Sequence, residues 1–149
     1  NNLTKQIDSI IKIFPDDNDF KELKKFIKIG KANTSKSVEL ALNGEKYFKE
    51  KKYEIAIEFY LKAIKIDPEE YAYYESTALS YQKLGNTKNA YKYFDIVIDS
   101  LNPKTGKSEF YKGVNLIKDK EYDKGCYLIK KSIEYNFVGA KEIFKNYCN

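Results

Sequence analysis

Along the whole chain apolar residues recur at helical spacings, and no segment sustains the period of two that a half-buried strand requires. Val38, Leu42, Tyr47 and Phe48 follow one helical face up to a Lys/Glu-rich turn at 49–52, and a second helix is predicted from Tyr53 to Ile66, where Pro68 blocks continuation. Tyr74, Ala78 and Tyr81 lead to Leu84-Gly85-Asn86, a place where Gly85 can take the left-handed conformation that closes a helix. Two further helices are expected from about Ser108 to Asp119 and from Tyr122 to Tyr135. Val138, Ala140, Ile143, Phe144 and Tyr147 fit a short amphipathic helix after them. Before residue 37, Leu3, Ile7, Ile10, Ile11 and Phe14 form one stripe and Phe20, Leu23 and Ile27 another, with Pro15-Asp16-Asp17 between them and Asp16 or Asp17 suited to cap a helix start.

The pattern repeats. Gly44, Tyr47, Tyr53, Ala56, Tyr60 and Ala63, moved forward 34 residues, land on Ala78, Tyr81, Thr87, Ala90, Phe94 and Val97. A further 35 lands on Gly113, Leu116, Tyr122, Gly125, Ile129 and Ser132, and Pro68 to Pro103 is also 35, so one residue is added at the end of the second unit. Each unit reads as two helices in a tight hairpin. Where two such helices cross, large side chains on both would hold the axes apart. The pairs Gly44 with Ala56, Ala78 with Ala90 and Gly113 with Gly125 are each 12 residues apart, at the expected crossing, and Tyr60, Phe94 and Ile129 are expected to fill the space beside it.

Gly44, Tyr47, Tyr53, Ala56, Tyr60, Ala63 and Pro68 resemble the signature of the tetratricopeptide repeat (TPR), and the 34-residue period matches it. The first unit matches nearly throughout, the second departs at Thr87 and Val97, and the third is degenerate, its Gly113, Gly125 and Ser132 also resembling related short hairpin repeats. The resemblance covers about residues 37–135. It implies an all-α fold, a right-handed α-solenoid of three TPR-like helical hairpins at about 37–68, 69–103 and 106–135.

Such an array leaves an apolar face at each end. The segment at about 138–147 is expected to cap the third hairpin within a repeat domain at 37–149. Residues 1–36 are expected to form a helical segment packed on the first hairpin; their Lys5, Lys12, Lys21, Lys24, Lys25 and Lys28 decoration leaves open an amphipathic arm for a membrane surface or a partner.

Composition narrows the chemistry. The 149 residues suffice for one domain, and no run approaches the roughly 18 apolar residues of a spanning helix. The net charge of +5 comes entirely from lysine, with no arginine to make bidentate phosphate or guanine contacts, so nucleic acid is a weak expectation as partner. Tyr and Phe interleaved with Lys keep single-stranded stacking as the runner-up; Tyr71, Tyr73, Tyr91, Tyr93 and Tyr111 are the freer tyrosines, whereas Tyr47, Tyr53, Tyr60 and Tyr81 hold repeat-core positions. There is no histidine, so the commonest general base is missing and neither Cys126 nor Cys148 has an imidazole partner. Asp16-Asp17-Asn18-Asp19 lacks the remaining ligands of a calcium loop, and the glycines build no phosphate cradle. No catalytic residue, metal site or cofactor is expected. A free thiol is the plainer reading of each cysteine, and a bridge between the last two helices is the other. The compartment stays open: a cytoplasmic setting is the plainer one, and the start at Asn1 without Met fits a trimmed end from which an export or anchoring segment has been removed.

In the resembled family the first helix of each hairpin lines a concave groove that takes an extended peptide or a partner helix. Carried over, the groove-facing candidates are Ala41, Glu45, Phe48 and Lys49, then Glu75, Leu79, Gln82 and Lys83, then Phe110, Val114, Ile117 and Lys118. Family members that bind chaperone tails clamp a terminal carboxylate with a Lys and an Asn, and here Ala41 and Glu45 stand in those places. Apolar positions with lysines at the helix ends imply a protein or peptide partner with apolar anchors and some acidic character. The expected function is a non-catalytic protein-interaction module. The alternatives are a scaffold subunit of an assembly or secretion type that self-associates into a homo-oligomer, a nucleic-acid-binding helical repeat, and a fragment whose enzymatic part lies elsewhere.

Overall fold

The computed structural model describes residues 2–13 and 18–148. Their elements are all helical: α1 (Asn2–Ile13), α2 (Asn18–Lys49), α3 (Tyr53–Ile66), α4 (Tyr71–Lys83), α5 (Thr87–Asp95) running into a π-helical turn (Ile96–Leu101), α6 (Lys107–Lys118), α7 (Tyr122–Glu134) and α8 (Ala140–Tyr147). The helices pair in succession, α2 with α3, α4 with α5 and α6 with α7. The expected starts at Tyr53 and Tyr122 and the end at Ile66 are met to the residue.

The crossings explain the small residues. Ala56, Ala63, Ala78 and Ala90 have no exposed surface, and Gly44, Gly113 and Gly125 are buried. A Cβ on Gly44 would lie 2.7 Å from the Tyr60 ring, and one on Gly113 would lie 2.9 Å from Ile129. Tyr60, Phe94 and Ile129 are 4%, 0% and 0% exposed, so the three bulky residues fill the space that the small ones leave.

The same turn closes the first helix of every pair. Lys52 N–H donates to Tyr47 O and Lys51 N–H to Phe48 O; Asn86 to Tyr81 and Gly85 to Gln82, then Glu121 to Leu116 and Lys120 to Ile117, repeat the pattern. These are Schellman closures, in which the residue after the helix adopts a left-handed conformation. Gly85 does so at φ +73°, and Lys51 (62°) and Lys120 (66°) occupy the same conformation without glycine's freedom.

Two stretches depart from a uniform array. Residue 37, taken as the start of the repeat domain, falls inside the 32-residue α2, so the chain passes from its N-terminal segment into the first pair without leaving the helix. Within the polar run at 33–37 the hydroxyls turn back on the helix backbone instead of breaking it: Thr34 Oγ1 donates to Gly30 O at 3.0 Å and Ser37 Oγ to Thr34 O at 2.9 Å. Helix α1 packs on α2. The capping role of Asp16 or Asp17 lies outside the described residues. The second departure is the π turn, where Asn102 N–H donates to Val97 O at 2.7 Å. One added residue is what an i+5 bond absorbs, and the turn sits where the 35-residue step places the excess.

After that turn the joint between pairs changes character. Helix α3 packs broadly against α4, whereas α5 meets α6 through far fewer residues. Polar groups bridge the second joint. Ser108 Oγ donates to Glu75 Oε1 (3.1 Å), Lys107 Nζ pairs with Glu75 Oε2 (3.0 Å), Gln82 Nε2 donates to Asn115 Oδ1 (2.9 Å), Tyr91 OH donates to Asp119 Oδ2 (3.1 Å) and Lys112 pairs with Asp95. Among the described residues, one core cluster correspondingly gathers around Ala78, Ala90 and Phe94 and a separate one around Ile117, Ile129 and Ala140.

Helix α8 covers the second cluster with Ala140, Ile143 and Phe144. Val138 (88% exposed) and Tyr147 (55%) take no part, although the apolar spacing put them on the covering face. The free-thiol reading is overturned: Cys126 and Cys148 form a disulfide, Cα atoms 5.5 Å apart, that fastens the end of α8 to α7. Tyr73, read as one of the freer tyrosines, is buried and donates to Ser37 Oγ at 3.3 Å.

Candidate binding groove

The candidate residues of α2 sort by their angle around the helix. Ala41 and Phe48 are half-buried, while Glu45 and Lys49 are exposed and paired with one another at 2.6 Å. Phe48 is held edge-on to Tyr53, ring centroids 5.3 Å apart. Val38 (44% exposed) and Leu42 (60%) lie seven and three residues before Glu45, on its side of the helix. Their helical period read as hairpin packing, yet they are the exposed apolar residues of this stripe. Sequence reasoning missed them as binding candidates; counted from Gly44 they stand at −6 and −2, one turn apart, and that spacing was the available signal.

A pocket of about 320 Å³ opens between α2 and α4, lined by Glu45, Phe48, Lys49, Tyr60, Ser76 and Leu79. It brings together three candidates of the first pair and one of the second. Burial pushes the Tyr60 hydroxyl at its base up to about 12, partly offset by a hydrogen bond with Ser76 and reinforced by the nearby Glu45 charge. The pocket wall is therefore apolar with a neutral hydroxyl, and its rim carries one compensated ion pair.

The remaining candidates spread out. Glu75 is 2% exposed and occupied by Lys107 and Ser108. Leu79 packs against the first core cluster, Gln82 bridges to Asn115, and Lys83 is exposed at the helix end. On α6, Ile117 is buried in the second cluster, Phe110 and Val114 pack against that cluster beneath α8, and only Lys118 faces solvent. Gln82 Oε1 is buried without a hydrogen-bond partner.

Among the described residues no group of three or more acidic, histidine or cysteine side chains could hold a metal ion, and no helix is long and apolar enough to cross a membrane.

No protein-family model matches the sequence, and no curated protein matches it either. Solved structures do. The first TPR domain of Spaghetti (RPAP3), bound to the HSP90 peptide SRMEEVD, superposes with a TM-score of 0.70 at 22% identity, over 77% of this chain and 92% of that one. The Arabidopsis OM64 TPR domain gives 0.69 at 21% identity, over 78% and 97%. The Sgt2 TPR domain from Aspergillus fumigatus gives 0.66 at 23% identity, over 75% and 76%. With helix pairs, small-residue crossings and closing turns recurring at one period, and these domains as its structural neighbours, the chain has the tetratricopeptide-repeat fold.

Proposed function

We propose that the chain is a non-catalytic protein-interaction module that takes an extended peptide or a partner helix along the first helices of its pairs, anchored between α2 and α4. The observation that carries this reading is the α2/α4 pocket, continued along α2 by exposed Leu42 and Val38. Exposed apolar residues next to an apolar-walled pocket are what an interface core needs. The helices that present them are already ordered, so binding would order few groups.

The HSP90 peptide of the structural neighbour, SRMEEVD, ends in Glu-Glu-Val-Asp, and the present groove suits such a tail poorly: Ala41 offers no charge, and Glu45 neutralises Lys49. The partner segment instead brings a bulky apolar side chain for the pocket, with acidic groups toward exposed Lys83 and Lys118. Affinity capture from the native organism with wild type, Val38→Glu/Leu42→Glu and the control Glu58→Lys tests this. A partner retained by wild type and control and lost from the double variant is the expected result; a partner set indifferent to the double variant contradicts it.

A further inference from the structure

A second depression lies on the other helices of the pairs. Its larger lobe, about 570 Å³, sits between α5 and α7 above Leu116 of α6. A smaller lobe of about 280 Å³ runs on along the π turn toward Glu109, and the two share Asp95, Lys112, Tyr127 and Leu128. The cleft exists because α5 and α6 pack sparsely after the added residue of the π turn. Leu116 is 6% exposed at its floor, half-buried Leu128 is on its wall, and the 61%-exposed Tyr127 ring stands at its mouth.

Its charges are unbalanced. Each lysine lining it is already engaged by a carboxylate of this chain: Lys112 by Asp95, Lys124 by Glu121 at 2.6 Å, Lys131 by Glu134 at 2.9 Å. Asp99, Glu109 and Asp123 line the same cleft with no cation partner among the described residues. Glu109 is only 6% exposed in the cleft wall, where burial and the nearby Glu75 charge push its carboxyl up, so a cation brought beside it would favour its ionised form. A protein of net charge +5 has thus kept a locally anionic, apolar-floored cleft. It also displays the matching chemistry within itself, since Lys112 Nζ lies 5.6 Å from the Tyr91 ring centroid while pairing with Asp95.

We propose that this cleft is a second docking site, one for a basic-apolar segment of a partner protein. A bulky apolar side chain of the partner sits on Leu116 and Leu128, and neighbouring Lys or Arg side chains pair with Asp99, Glu109 and Asp123, one of them over the exposed Tyr127 ring. The site shares no residue with the α2/α4 pocket, so a partner can bridge or two partners can be held at once.

The test uses the full chain with its disulfide intact and two probes, the peptide Gly-Ser-Leu-Lys-Leu-Lys-Ser-Gly and its counterpart with both lysines replaced by glutamate, followed by amide chemical-shift mapping at low salt. The basic probe is expected to give saturable shifts confined to α5, the π turn, α6 and α7, with affinity about tenfold weaker for Asp99→Lys/Asp123→Lys and unchanged for the distant Glu54→Lys. Binding of the acidic probe with equal strength, shifts elsewhere, indifference to the double variant, or no saturable shift would each overturn the proposal. Self-association of the chain alone that the double variant abolishes would assign the cleft to a second copy, and would overturn it too.

Discussion

Gly113 and Gly125 face each other across the α6/α7 crossing so closely that a Cβ added to Gly125 would lie 2.9 Å from Gly113 O, and one on Gly113 would lie 3.0 Å from Gly125 O. Both contacts are with backbone, which cannot swing aside as a side-chain end can. Gly125→Ala should therefore cost stability even though alanine is the better helix former by up to about 1 kcal/mol, because overpacking a close contact costs about 1–3 kcal/mol. Gly30→Ala is the counterpart. A Cβ there meets nothing within 4 Å on an exposed face of α2, so that change should stabilise by about 0.5–1 kcal/mol. Urea denaturation of the two variants should give midpoints displaced in opposite directions from wild type.

Glu75 is a joint residue in this structure. Its carboxylate accepts from Ser108 and pairs with Lys107, tying the second pair to the third. Removing a buried charged acceptor strands its donors, so Glu75→Ala should lose about 2–3 kcal/mol. Amide hydrogen exchange would check the mechanism: opening should rise at the α4/α6 joint, while α2 and α3 keep their wild-type protection.

The bridge between Cys126 and Cys148 closes a segment with a separation of 22 residues, for which loop-entropy reasoning gives about 3 kcal/mol of stabilisation. Helix α8 has only eight residues, too few to hold a helix without packing or a tether. Cys148→Ser, or reduction by a dithiol, should lower the unfolding midpoint, and α8 amides should lose exchange protection before those of α6 and α7.

Tyr60 provides a pH test. Its folded-state ionisation lies near 12, above the ordinary value of 10.0, so the folded state favours the neutral hydroxyl. That stabilisation is complete below pH 10 and is lost as pH rises from 10 through 12. Tyr60→Phe, which has no proton to lose, should show a shallower fall in stability over that interval, and its difference tyrosinate absorbance against wild type should titrate near 12.

These residues mark what a reader of the sequence could reach. Crossing glycines and alanines, closing turns and helix ends were legible because side-chain size and chain conformation act locally and repeat at one period. The added residue was countable, but its form as a π turn was not, since a count places an excess without saying which hydrogen bond absorbs it. Glu75 read as a groove contact because its partners lie 32 and 33 residues away on another helix. The disulfide depends on the distance between α7 and the end of α8, which no spacing encodes. Of the groove, Glu45, Phe48, Lys49 and Leu79 do converge on one pocket, whereas Phe110, Val114 and Ile117 are taken up beneath α8.

A partner protein held along α2 and α4 would pass over the exposed Leu42 side chain. A photoreactive benzoylphenylalanine placed at Leu42, in cells of the native organism, tests this placement most directly against the same group at Ile55, an exposed residue of α3. A covalent partner adduct is expected from position 42 and none from position 55. An adduct from position 55 with none from position 42 would contradict it.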